Sequence, residues 1–170
     1  SSNRPTQCEF RRPEGDPMSY DAFKVVHLTG VVIFLGNIIV TGIWKVMADR
    51  TQDPRIIAYA QRLVTITDWI FTAGGVVLIL LGAYGMVFTA GLDPTQCWLA
   101  LGQSLFVASG VIWIAVLIPT QIIQARQARA FAAGGPIPDT YWRHSRRWVI
   151  WGTIATLLPL ANLYVMVFKP

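Results

Sequence analysis

Residues 23–44 read FKVVHLTGVVIFLGNIIVTGIW, an apolar run with a histidine, His27, inside it. About twenty apolar residues cross a hydrocarbon core of about 30 Å as a helix, so this stretch sets the solvent in which the chain folds. His27 makes the same stretch a functional-site candidate, because an ionisable group in lipid is costly. Three further runs of comparable length follow at 69–90, 98–118 and 148–168. Backbone polar groups in lipid must be satisfied within their own segment, which makes each run a helix. The expected fold is all-α, an integral-membrane, up-down-up-down bundle of four helices with cytoplasmic helical extensions. It occupies one domain, 18–170, preceded by a polar extension, 1–17.

Composition agrees. Of 170 residues, 54% are hydrophobic and 14% charged, where soluble domains carry about a quarter charged. The net charge of +5 is not gathered into a basic stripe with stacking aromatics, which excludes nucleic acid as a partner. The cations follow membrane topology instead. Lys45, Arg50, Arg55 and Arg62 follow the first run, and Arg126, Arg129, Arg143, Arg146 and Arg147 follow the third. The link 91–96 has none. The positive-inside rule then places both loaded links in the cytoplasm and both termini outside. Trp44, Trp69, Trp142 and Trp148 at one interface, with Tyr20, Tyr84, Trp98 and Tyr164 at the other, form the expected aromatic belts. Met18 reads as a natural start, which would make the residues before it an added extension. Cys97 reads as a small apolar residue at a helix start, with an outer-side disulfide to Cys8 as the alternative.

Local signals mark the helix ends. Asp53-Pro54 is an N-cap followed by proline at the first helical position, and Asp93-Pro94 repeats the pattern ahead of the third helix. Gly134-Gly135-Pro136 stops that helix, and Pro138-Asp139 opens the fourth. Pro119 and Pro159 are expected to bend helices without ending them.

The polar residues recur at helical spacing. On the first helix His27, Gly30, Phe34, Asn37, Thr41 and Lys45 share a stripe; on the second, Asp68, Thr72, Gly75, Ile79, Gly82 and Met86 do so. Such stripes let helices approach closely and hydrogen-bond to one another. Asp68 is expected to pair with Lys45, Arg146 or Arg147, with a proton-relay role as the alternative. His144 lies about a bilayer away from His27, so the two cannot share one metal in a protomer. Met86 and Met166 lie near the depth of His27. A His/Met level suits haem iron or a soft copper ion, which makes His27, Met86 and Met166 the candidate cofactor-binding set. No nucleophile–base pair, phosphate-binding glycine loop, CxxC motif or zinc-ligand cluster is present, which speaks against conventional enzyme chemistry.

Several motifs carry a family resemblance. They are Phe23-Lys24-Val25-Val26-His27-Leu28-Thr29-Gly30, Ala48-Asp49-Arg50-Thr51-Gln52-Asp53-Pro54, Thr67-Asp68-Trp69-Ile70-Phe71-Thr72, Tyr141-Trp142-Arg143, Ser145-Arg146-Arg147-Trp148 and Phe168-Lys169-Pro170. Over 18–170 the chain resembles a bacterial family of predicted integral membrane proteins, domain-of-unknown-function family 2269. That likeness implies a bacterial inner-membrane protein and brings no established activity. More distantly, Lys24 and His27 are similar to the Lys-x-x-His of HemJ-type protoporphyrinogen oxidases, which implies haem b on His27. The aromatic–Phe–Ala–Gly stretch of that family is not reproduced around Phe34-Leu35-Gly36-Asn37. CopD-like copper-handling proteins are similar in general layout. The leading expectation is a non-catalytic accessory or structural membrane component, embedded in the lipid bilayer and packed in a larger membrane complex or a homo-oligomer. Haem-linked redox chemistry through His27 comes second, and copper handling third.

Overall fold

The computed structural model describes residues 17–169, and over them it contains helices and turns alone. The helices are α1 (Pro17–Thr51), α2 (Pro54–Ala90), α3 (Cys97–Ala132) and α4 (Asp139–Phe168). Each contains a window long and apolar enough to cross a membrane. Their outward faces carry large apolar side chains such as Val32, Phe88, Val107 and Val167, all exposed. An exposed apolar exterior of this extent suits lipid, not water.

The turns explain where the helices stop. Between α1 and α2 the chain reverses through two residues, with Gln52 in the left-handed region at φ 55°. The Asp53 carboxylate then accepts the Arg55 N–H at 2.8 Å and the Ile56 N–H at 3.4 Å. Pro54, which has no N–H to leave unpaired, fills the first helical position. At the far end of α2, Gly91 adopts φ 58° and the Leu92 N–H donates to the Val87 carbonyl at 3.1 Å, a glycine cap.

The next helix departs from expectation, because α3 begins at Cys97 and not behind Asp93-Pro94. The Asp93 carboxylate accepts the Thr95 N–H at 2.9 Å and its hydroxyl at 2.7 Å. Gln96 is extended, at ψ 137°. Thr95 thus closes a separate turn on Asp93 before the helix can start, and its two bonds hold the Asp93 carboxyl below the ordinary carboxylate range. α3 stops at Ala132, ahead of Gly134 at φ 122°.

Both internal prolines are accommodated without a break. Pro119 cannot donate to the carbonyl four residues back, and its ring crowds that turn. Directly before it, Trp113–Leu117 widens into a π turn in which the Ile118 N–H reaches the Trp113 carbonyl. A second π turn spans Asp68–Thr72 in α2, where the Ala73 N–H reaches the Asp68 carbonyl.

The helices pack as two antiparallel pairs. α1 and α2 touch through glycines: a Cβ on Gly30 would lie 2.7 Å from the Ile79 nitrogen, one on Gly75 2.9 Å from the Phe34 Cβ, and one on Gly82 would collide with the His27 backbone. α3 and α4 pack through Trp98, Leu99 and Val165, with Met166 over Gly102. The pairs join at the arginine-rich end, called here the basic end. There Ile57, Ala128, Phe131 and Tyr141 form one core cluster, and Val64, Leu117, Trp148 and Ala155 form the next. Toward the other end the pairs diverge, and the last helical turns of α2 have no close backbone approach to the first turns of α3 among the described residues. A cavity of about 560 Å³ lies between the pairs. Phe34 and Phe106 close its far end, with ring centroids 6.3 Å apart.

Candidate functional site

Among the described residues, two clusters of ionisable side chains and two half-buried histidines, His27 and His144, lie within the bundle. The first cluster is at the basic end. Lys45 and Asp49, one turn apart on α1, pair with Nζ 3.1 and 3.0 Å from the two carboxylate oxygens. α4 supplies the other partners. The Tyr141 hydroxyl donates to Asp49 Oδ1 at 2.7 Å, Lys45 Nζ donates to the Tyr141 oxygen at 2.8 Å, and the Ser145 hydroxyl donates to Asp49 Oδ2. The ammonium also lies 4.9 Å from the centre of the Tyr141 ring. That ring is held edge-on by Phe131 and Trp142, each at 5.3 Å. Lys45 is only 1% exposed.

The second cluster surrounds Asp68, at the π turn of α2. Asn37 Nδ2 donates to Asp68 Oδ1 at 3.1 Å and to Thr72 Oγ1 at 2.9 Å. The Thr72 hydroxyl donates to the same carboxylate oxygen at 3.1 Å, and the Gln121 side chain of α3 approaches the carboxyl group. Thr41 is buried beside this cluster but donates to the Asn37 carbonyl of its own helix, at 2.7 Å.

These contacts correct the expected partner of Asp68, which is neither Lys45 nor Arg146 nor Arg147. Asn37, its partner on α1, lies eight residues from Lys45, about 12 Å along the helix axis. Lys45 instead finds Asp49 at i+4 on its own helix.

His27 lies half-buried in the α1–α2 seam, with Nδ1 2.9 Å from the Ile79 carbonyl oxygen. A carbonyl only accepts, so Nδ1 carries the proton and Nε2 keeps its lone pair when the ring is neutral. Met86 is half-buried on α2, one turn beyond Gly82. Met166 lies in the other seam, where its thioether methyl fills the space left by Gly102. The structure therefore puts His27 and Met166 on different helix pairs. His144 is half-buried at the basic end. No group of three His, Cys, Asp or Glu side chains is placed to hold a metal ion among the described residues. Cys97 is exposed at the start of α3, whereas Cys8 and the extension through residue 16 lie outside the described residues.

Sequence reading passed over Asp49, although its i,i+4 spacing from Lys45 is visible in the chain. It also passed over Gln61 and Gln124, which are 1% and 0% exposed with no hydrogen-bond partner for either amide atom. The signal for Gln61 was its place on the apolar face of α2, between Ile57 and Val64.

Against known proteins, a family model described as "Predicted integral membrane protein (DUF2269)" matches residues 21–170, and the chain belongs to that family. No curated protein and no solved structure matches.

Proposed function

Taking that integral-membrane family as the premise, we propose that the protein is a non-catalytic accessory or structural component of a bacterial inner membrane. In this reading it packs within the bilayer against a larger assembly or further copies of itself. One observation carries it: the buried carboxylates are occupied by their neighbours. Asp49 accepts from Lys45, Tyr141 and Ser145 over both oxygens, and Asp68 accepts from Asn37 and Thr72 on Oδ1. Groups used this way fix helices against one another, and the Asp49 carboxylate, with donors on both oxygens, is held for structure and not poised for a substrate proton. The arginine excess at the basic end supports a cytoplasmic position for that end, with both termini outside. An alkaline phosphatase domain fused behind Pro170 should then be active.

The test of the accessory reading is purification from native membranes in a mild detergent. A stoichiometric partner or a defined homo-oligomer is the expected product, colourless and free of bound metal. A monodisperse monomer without any partner would overturn the reading.

A second reading, haem b ligation by His27, is favoured by one contact. Histidines that ligate metals usually anchor their other ring nitrogen on a carbonyl or carboxylate, as His27 does on Ile79. His27 would hold the haem iron through Nε2, and the haem would supply electron-transfer chemistry there. Met166, packed against Gly102, does not complete the set. A Soret band that disappears in His27→Ala would establish this reading in place of the first. Copper handling by His27 and Met86 would show as stoichiometric copper lost in the same variant.

A further inference from the structure

We propose that the cavity between the helix pairs holds an acyl chain of an anionic phospholipid, whose phosphate is bound by Arg50 at the basic end. The inference goes beyond the accessory reading and does not depend on it.

The wall of the cavity offers little to a polar solute. Its hydroxyls already donate to the protein: Thr72 to Asp68, Ser109 to the Ala155 carbonyl at 2.8 Å, and Thr156 to the Gly152 carbonyl at 2.8 Å. Asp68, which borders the cavity, accepts from Asn37 and Thr72 on Oδ1. What remains is a surface of methyl groups and rings, suited to a hydrocarbon.

The opening faces lipid. Lining residues Ile39, Ile43 and Met47 of α1, Ile114 of α3 and Leu157 of α4 are all exposed, so the mouth opens to lipid between the two helix pairs. Along α1 the cavity runs from Arg50 to Phe34, about 24 Å at 1.5 Å per residue. A polar headgroup can therefore stay at the basic end while the chain reaches the Phe34–Phe106 closure.

Missing side chains keep the space open. A Cβ on Gly42 or Gly110 would meet nothing within 4 Å, and one on Gly152 only the Leu117 Cδ2 at 4.0 Å. All three line the cavity, from three different helices. They contrast with Gly30, Gly75 and Gly82, whose bare Cα lets another helix touch.

The rim selects the headgroup. Arg50 lines the basic end of the cavity, is exposed, and has no ion pair among the described residues. Its neighbour Asp49 is balanced by Lys45. A guanidinium fork matches phosphate oxygens.

The test is native mass spectrometry of delipidated protein given dioleoylphosphatidylglycerol or dioleoylphosphatidylcholine. The anionic lipid should be retained about fivefold more than the zwitterionic one, the effect of one cation near an anionic lipid. Arg50→Gln should abolish that preference. Gly110→Leu and Gly42→Leu each add a Cβ that meets nothing within 4 Å and extend the side chain from a cavity-lining position, so both should melt no lower than wild type and lose retention of either lipid. Equal retention of the two lipids by wild type would overturn the headgroup assignment. Undiminished retention in both leucine variants would show surface lipid only and overturn the cavity assignment. A bound molecule other than lipid, released by Gly110→Leu, would also overturn it.

Discussion

A lysine ammonium at 1% exposure persists only while its partners do. Removing one member of a buried ion pair strands the other charge, at a cost of about 3–5 kcal/mol. Lys45→Met should therefore destabilise the protein by about that amount, since Asp49 would be left with only the Tyr141 and Ser145 hydroxyls. Adding Asp49→Asn removes the stranded charge and should recover a large part of the loss. Denaturant titration of the two single variants and the double variant in detergent reads this coupling directly; additive losses would refute it. Gln61 behaves oppositely. An unpartnered buried amide costs about 1–3 kcal/mol, so Gln61→Leu, which keeps the apolar face of α2 continuous, should raise stability by about 1 kcal/mol in the same titration. Neither residue's surroundings could be read from the chain alone. Lys45 has carboxylates available both at i+4 and on α2, and only the offset between helices decides between them.

At the scale of elements, two kinds of glycine share one spacing. Gly82 sits where a Cβ would enter the His27 backbone, and neither backbone can yield without parting α1 from α2. Gly82→Ala should cost about 1–3 kcal/mol as an overpacked contact. Gly110→Ala meets open space and should instead gain about 0.5–1 kcal/mol from the lower conformational freedom of the unfolded chain. Thermal melts of the two variants should shift in opposite directions, and a common sign would remove the distinction between seam glycines and cavity glycines. Helix ends were largely legible here, because Asp53-Pro54, Gly134 and Pro138-Asp139 act through their own backbones. The start of α3 was not, because Thr95 competes for the same Asp93 carboxylate that would have capped a helix. Nor was the π turn at Asp68–Thr72, which no proline announces.

For the molecule as a whole, four apolar runs joined by short links leave few arrangements other than an antiparallel bundle, which is why the fold was legible. How the helices share their faces was not. That depends on contacts between segments distant in sequence: Tyr141 reaching Lys45 and Asp49, or Phe106 meeting Phe34. The result is two helix pairs fastened at the basic end and parted by a cavity. Tyr141→Phe tests this design with minimal disturbance, because the ring keeps its place against Phe131 and Trp142 while the hydroxyl is lost. Removing one hydrogen-bonded hydroxyl between charged partners should speed amide exchange about tenfold in the turns that meet there, 45–51 and 139–149. The α1–α2 seam is held by glycine contacts that do not involve Tyr141, so 27–34 and 75–82 should exchange as in wild type. Hydrogen exchange followed by peptide mass spectrometry resolves these segments. If the seam amides accelerate as much as those at the basic end, the bundle opens as one unit, and the fastening between pairs is no more local than any other contact.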